Sequence, residues 1–354
     1  MHVIERTSID ARATGTGAPA LGERPVARGP SARRAATALL LATLFWGLGF
    51  TWAKRTGAVL NESARVPPGS ALGPVLLLAW RYTLGGLIWL AAFPAARRRW
   101  SAGSLMRAAV LGVLLYAGLV LQHLGLDRTS EAVSAFLTSL TILFVPLLMT
   151  VGLRKPPRGI VWVAVLLATA GIWLMTGATP AGFGIGELLG LGCAVVFSLY
   201  MIAVNLIVPR DDPWRMTAGQ FLVTGFGCLL TCLLLKGGPA AVASAAIFQP
   251  RVIADGALLI LFPTLLSFGA LNYYQPHLDP TRAALLYLLE PVFAAAFAWV
   301  FAGRGLGPVA LAGAGLILVA NLTAELRIFL ERAVLCDGKS NLPEKPGDPL
   351  NAGG

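Results

Sequence analysis

From residue 186 to residue 208 the chain reads Gly186-Glu187-Leu188-Leu189-Gly190-Leu191-Gly192-Cys193-Ala194-Val195-Val196-Phe197-Ser198-Leu199-Tyr200-Met201-Ile202-Ala203-Val204-Asn205-Leu206-Ile207-Val208, with one charge, Glu187, next to its start. About 20 mostly apolar residues in a helix cross the hydrocarbon core of a bilayer. This stretch is therefore expected to be a transmembrane helix. The same test selects 35–54, 74–96, 106–126, 131–153 and 159–177 before it. After it come 216–235, 255–276, 281–302 and 306–326. Pro, Gly or charge marks the breaks. The longest are 55–73, with Pro67-Pro68-Gly69, and 236–254. The expected fold class is an all-α integral membrane protein with ten transmembrane helices.

Composition leads to the same class. Of 354 residues 56% are hydrophobic and 13% charged, with a mean hydropathy of +0.72. A soluble domain carries about 25% charged residues. Half that supply does not wet a 37.1 kDa globule, so most of the surface must face the lipid bilayer. The formal charge of +11 would suit nucleic acid, but the cations lie between the apolar runs, so no nucleic-acid partner is expected.

Their placement predicts orientation, because Lys and Arg accumulate on the cytoplasmic side. With the N-terminus inside, 20 of the 28 cations fall in the two tails or in connections on that side, such as Arg97-Arg98-Arg99 and Arg107, or Arg210 and Arg215. Seven fall outside: Lys54, Arg55, Arg65, Arg128, Lys236, Arg251 and Arg304. Arg81 lies within a span. The split predicts an inner (plasma) membrane, multi-pass protein with both termini cytoplasmic.

Residues 1–34 hold six arginines among Gly, Ala and Pro without an apolar core, and read as a disordered cytoplasmic tail. The C-tail, 327–354, reads likewise. Cys193, Cys228 and Cys232 lie inside apolar runs and Cys336 in the tail, so no disulfide framework is expected. His2, His123 and His277 do not cluster with Cys or Asp at ligand spacing, so neither a metal nor another cofactor is expected.

The two halves echo each other. Ser134-Ala135-Phe136-Leu137-Thr138-Ser139-Leu140 opens the body of the fourth run, and Arg282-Ala283-Ala284-Leu285-Leu286-Tyr287-Leu288 that of the ninth. Leu126-Asp127-Arg128-Thr129 leads into one and Leu278-Asp279-Pro280-Thr281 into the other. A repeat of five spans is odd, so a second copy enters the membrane from the opposite side. Two inverted five-helix repeats, 35–177 and 178–326, would place a substrate site near the midplane between them.

Trp46-Gly47, Trp80-Arg81-Tyr82, Gln122 with Gly125-Leu126, and Asp279-Pro280-Thr281-Arg282 leading to Glu290-Pro291 are motifs by which the chain resembles an EamA-like transporter of the drug/metabolite transporter superfamily. Trp46-Gly47 with the trailing Lys54 is similar to that family's opening motif, and Trp80-Arg81-Tyr82 to its intramembrane Arg motif. Gln122, Gly125-Leu126, Ala135-Phe136-Leu137-Thr138 and Val145-Pro146-Leu147 resemble the signature around the fourth span. Asp279-Pro280-Thr281-Arg282-Ala283-Ala284-Leu285, running into Leu289-Glu290-Pro291, is the best match. The resemblance implies two EamA-like repeats and export of small metabolites or amphipathic compounds. The family's Glu before the fifth and tenth spans is missing, since Arg154-Lys155-Pro156 and Gly303-Arg304-Gly305 stand there.

Two charges lie deep in spans. A charge at the bilayer centre costs about 2.5–3.5 kcal/mol on insertion scales. Arg81 has a fork that suits a carboxylate or phosphate, or it snorkels or holds a structural ion pair. Glu290 suits proton coupling, because burial penalises the charged carboxylate and lets proton and substrate compete for one site. It also reads as a neutral hydrogen-bonding acid or as a partner for Arg81. Pro291 leaves the carbonyl of Tyr287 unpaired and invites a kink. Gln122 and Asn272 are candidate polar lining, and Trp46 and Tyr287 candidate aromatic walls. The glycines, Gly186 and Gly190 among them, read as close helix packing.

These features together predict a secondary exporter of small metabolites, amino acids or amphipathic compounds that works by alternating access. Proton coupling and homodimerisation are left open. A channel or a lipid-handling scaffold is the alternative. A membrane enzyme is disfavoured because no catalytic His, Asp or Ser set appears at workable spacing.

Overall fold

The computed structural model describes residues 30–129, 131–154, 159–176, 184–243, 248–302, 307–320 and 323. The C-tail, residues 1–29, Lys155-Pro156 and Gly303-Arg304-Gly305 lie outside them. Every regular element among the described residues is helical. In the first half these are α1 Ala32–Ser63, α2 Leu72–Ala92, α3 Ala102–Arg128, α4 Glu131–Ser139, α5 Thr141–Leu153 and α6 Gly159–Thr176. In the second they are α7 Ile185–Ile207, α8 Pro213–Leu234, α9 Pro250–His277, α10 Pro280–Tyr287, α11 Glu290–Ala302 and α12 Pro308–Ala320. Six of them, α1, α2, α3, α7, α8 and α9, are long and apolar enough to cross a membrane.

Local chemistry sets the starts. The Asp212 carboxylate accepts from the Trp214 and Arg215 amides, and Asp279 accepts from Thr281. Pro213 and Pro280 then occupy first-turn positions that need no N–H. α1 runs to Ser63, nine residues beyond the expected end at 54. Asn61 secures that extension by accepting from the Gly73 amide at 2.7 Å and donating to Ser70 O at 3.0 Å.

The fourth and ninth runs, expected as single helices over 131–153 and 281–302, are each broken in two. At Leu140 the cause is hydroxyl back-bonding. Thr138 Oγ1 donates to Ser134 O, Ser139 Oγ to Ala135 O and Thr141 Oγ1 to Thr138 O. At Leu288-Leu289 the cause is Pro291, which withholds the N–H that the Tyr287 carbonyl would take.

α9 carries a π-helical segment, Ile260–Leu266, built around Pro263. The proline withholds a donor from the Leu259 carbonyl, and Thr264 Oγ1 supplies one at 2.9 Å. Ser267 Oγ lies 2.9 Å from Phe262 O and 3.1 Å from Ala42 O on α1. The irregular turn is thereby satisfied inside the protein, which the lipid interior demands.

Several helix crossings map onto one another when the halves are exchanged. α1 packs on α9 and α11, while α7 packs on α3 and α5. α2 packs on α8, and α6 meets α12 where Gly171 faces the Gly313 carbonyl. Small residues permit these crossings. Gly186 faces Thr129, Gly190 faces Leu137, and a Cβ on Gly225 would lie 2.4 Å from Thr83 Oγ1. Large apolar side chains such as Leu87, Leu105, Leu166, Phe226 and Leu234 point outward.

Polar contacts group the helix ends. Lys54 Nζ donates to Thr129 O at 3.2 Å, and Gly186 packs on Thr129. Late α1, the end of α3 and the start of α7 therefore share one end of the bundle, and α1 and α7 run in opposite directions. Arg55 and Thr56 hold the buried Asp255 of α9 at that same end. At the other end Asp211 takes Arg107 Nη2 at 2.6 Å and Arg215 Nη2 at 2.5 Å, while Arg215 Nη1 reaches the carbonyls of Arg98 and Arg99. This clamp ties the α2–α3 connection to the α7–α8 connection. Loss of solvent raises the Asp211 carboxyl, but hydrogen bonds from Ser104 and Arg107 outweigh it and bring its pKa down to about 2.

Gly225→Leu is expected to destabilise the folded protein by about 1–3 kcal/mol through overpacking of α2 on α8, read as a lower melting temperature in detergent. The pH dependence of the clamp has a defined sign. A carboxylate depressed from about 3.9 to about 2 stabilises the fold above pH 4 and loses that contribution as pH falls toward 2. Asp211→Asn should melt lower than the parent at pH 7, with the gap closing between about pH 4 and pH 2.

Candidate functional site

A cavity of about 110 Å³ lies where the two halves meet. A single water needs about 10–15 Å³ of such space, so the cavity admits more than one small group. The first half lines it from α1, α2, α3, α4 and α5, and the second from α7, α9, α10 and α11. Five residues picked from sequence converge there: Trp46, Arg81, Gln122, Tyr287 and Glu290. Asn272 does not line the cavity. It is fully buried behind the wall, with Nδ2 donating to Phe268 O at 2.9 Å.

Arg81 is positioned by the π segment. Its Nε donates to Thr264 Oγ1 at 2.5 Å, the same hydroxyl that caps the Leu259 carbonyl. Its guanidinium carbon sits 5.3 Å from the centroid of the Tyr82 ring. Arg81 is 5% exposed, and among the described residues no carboxylate pairs with it.

Glu290 is the first residue of α11, directly after the break. Gly47 brings α1 against it: a Cβ there would lie 3.0 Å from the Glu290 carbonyl oxygen and 3.0 Å from the Ala294 nitrogen. Its carboxyl faces the cavity and, among the described residues, takes part in no hydrogen bond or ion pair.

The walls are aromatic. Trp46 donates Nε1 to Pro263 O at 2.9 Å, and its ring meets Phe268 and Tyr287 edge-on at 5.2 and 5.3 Å. The Tyr287 hydroxyl is engaged, donating to Gln275 Oε1 at 2.9 Å, so Tyr287 offers its ring. Gln275 Nε2 in turn reaches Met201 O at 2.8 Å and Asn205 Oδ1 at 2.6 Å, tying α7 to the end of α9. Gln122 Nε2 makes one long contact, 3.4 Å, with Thr138 Oγ1.

Sequence reasoning considered His123 only as a metal ligand. It lines the cavity, 6% exposed, with Nδ1 3.0 Å from the Leu119 carbonyl and Nε2 without a partner among the described residues. Phe197 and Phe268 were also missed. The available signal was Pro263 in the middle of an apolar run, followed by Thr264 and Ser267.

Thr264→Val should leave the Leu259 carbonyl and the Arg81 Nε–H unpaired, lowering stability by about 1–3 kcal/mol in a detergent melt. Thr264→Ser should restore most of it.

Comparison with known proteins follows the same two halves. The model of the EamA-like transporter family matches residues 33–177 and again 184–323. A protein of Archaeoglobus fulgidus described as an uncharacterized transporter is 26% identical over 220 residues, covering 62% of this chain and 68% of that protein. The uncharacterized transporter YwfM of Bacillus subtilis is 26% identical over 291 residues, covering 79% and 90% respectively. A solved crystal structure superposes with a TM-score of 0.62 at 21% identity, covering 84% of this chain and 98% of the other, a likeness of fold.

Proposed function

The chain belongs to the EamA-like transporter family, and on that premise we propose that it is a secondary carrier exporting small organic molecules across the inner membrane, coupled to protons. In this reading the shorter helices complete ten spans. The fourth is α4 with α5, the ninth α10 with α11, and α6 and α12 are the fifth and tenth. Two inverted five-helix repeats, 35–177 and 178–326, enclose the site, and both termini are cytoplasmic. The contacts support that assignment. The Asp211 clamp joins connections that the charge count puts on one side, and Lys54–Thr129 and Arg55–Asp255 join those it puts on the other.

One observation carries the proposal: a chamber drawn from both halves holds a cation and a carboxyl that are not paired with each other. Arg81 binds the acidic group of a substrate, whose apolar part lies against Trp46, Phe268 and Tyr287. Glu290 carries the proton and gives it up as the carrier cycles. A buried arginine with a spare fork supports an anionic or zwitterionic solute such as an amino acid or organic acid.

The test is uptake of candidate solutes by proteoliposomes with and without an imposed pH gradient. A carrier gives saturable flux that rises with the gradient, and a channel gives flux that does not saturate. Glu290→Gln should abolish the response to the gradient while keeping solute exchange. Arg81→Ala should cut transport of acidic solutes about tenfold or more. Full gradient-driven transport by Glu290→Gln would rule out the coupling role.

A further inference from the structure

Behind the cavity floor lies a second polar cluster. Tyr200, which also lines the cavity, donates its hydroxyl to Gln220 Oε1 at 2.9 Å. The Asn272 amide adjoins the same hydroxyl. All three side chains are buried, Gln220 and Asn272 completely. Yet Gln220 Nε2, a donor, and Asn272 Oδ1, an acceptor, have no partner among the described residues. Each such vacancy is expensive in a protein interior, and the conformation described gives no return for either.

Exchange of the two halves supplies a reason. Trp46 precedes the small residue Gly47 in α1, and Phe197 precedes the small residue Ser198 in α7. Arg81 stands nine residues into α2, and Gln220 seven into α8. His123 stands twenty-one residues into α3, and Asn272 twenty-two into α9. Glu290 opens α11 under the small residue Gly47, and Thr141 opens α5 under Ser198, whose hydroxyl points to the Thr141 carbonyl. The residues that face the cavity thus have counterparts in the other half: Phe197 and Thr141 line the cavity too, while Gln220 and Asn272, the counterparts of Arg81 and His123, lie behind its floor. His123 lies near the end of the bundle that holds Lys54. Asn272 lies near the other end, three residues from Gln275 and its bond to Asn205.

We propose that Tyr200, Gln220 and Asn272 form a second face of the substrate site, buried in the conformation described and exposed when the carrier opens at the Asp211 end. This rests on the carrier reading above. The two faces differ in charge. Arg81 on the first is replaced by Gln220 on the second, where Asn272 stands for His123, so the second face offers one neutral donor and one neutral acceptor. That pair suits an uncharged acid, amide or alcohol, whereas Arg81 suits the anion. A solute passes between them by a small displacement across the ring of Tyr200, as repeats rock about a fixed site.

The test is site-directed labelling of the full chain in proteoliposomes. Cys193, Cys228, Cys232 and Cys336 are replaced by Ala, and either Asn272→Cys or His123→Cys is introduced. A membrane-impermeant thiol reagent then reads exposure, with the clamp intact and with it loosened by Asp211→Asn and Arg107→Gln. Loosening should raise the labelling rate of Asn272→Cys about tenfold and lower that of His123→Cys by a similar factor. This opposed response would not follow from general loosening. Two results would overturn the second face alone: Asn272→Cys staying unlabelled while His123→Cys loses labelling, or both rising together. Rates unchanged at both positions would mean that the molecule does not alternate, and would overturn the carrier reading as well.

Discussion

A hydrogen bond that a proline cannot make organises the site. Within a bilayer no water rescues an orphaned carbonyl, so each interruption of a helix must be closed from within the protein. Pro263 withholds a donor from Leu259, and the Thr264 hydroxyl fills the gap. Because a hydroxyl both donates and accepts, that one side chain also fixes Arg81. The Pro263 carbonyl holds the Trp46 indole in turn. The repair of one backbone defect thereby places a cation and an aromatic wall on the same cavity.

The same economy holds at the other irregularities. The break before Pro291 sets Glu290 at the start of a new helix, with its carboxyl toward open space rather than a neighbouring helix. The hydroxyl-rich break at Leu140 sets Thr141 in the matching place. The charge of Glu290 is tolerated because the broken backbone there lines a chamber within the protein. The long regular helices around them supply close packing through glycine and alanine, and so hold the irregular parts in register.

Much of this was legible in the sequence. Runs of apolar residues located six long helices, five of them to within five residues at each end, and Arg81, Glu290, Trp46, Gln122 and Tyr287 were recognisable because polar or aromatic groups deep in such runs need a purpose. The breaks were less legible. Hydropathy averages over about twenty residues and does not register a single missing donor, so 131–153 and 281–302 each read as one helix. The extension of α1 to Ser63 was hidden for a related reason, since Lys54 and Arg55 end the apolar run while Asn61 keeps the helix going through contacts remote in sequence. Asn272 looked like lining because it is polar and embedded, but helix rotation, which composition does not report, turns it behind the wall. His123 was passed over because only metal-ligand spacing was asked of it.

The seam between α2 and α8 is its own counterpart when the halves are exchanged, as is the contact between α6 and α12. The crossing of α1 on α11 at Gly47 has its counterpart elsewhere, where α7 crosses α5 at Ser198. In the carrier proposed above, whose halves trade roles, strain in a self-matched seam weighs on both conformers alike and leaves their ratio where it was. Strain at Gly47 weighs on one conformer more than the other, so it moves the population. The first kind of seam acts as an axle and the second as a ratchet. Inherited variation should accordingly split into changes that alter how much carrier survives and changes that alter which way it faces at rest.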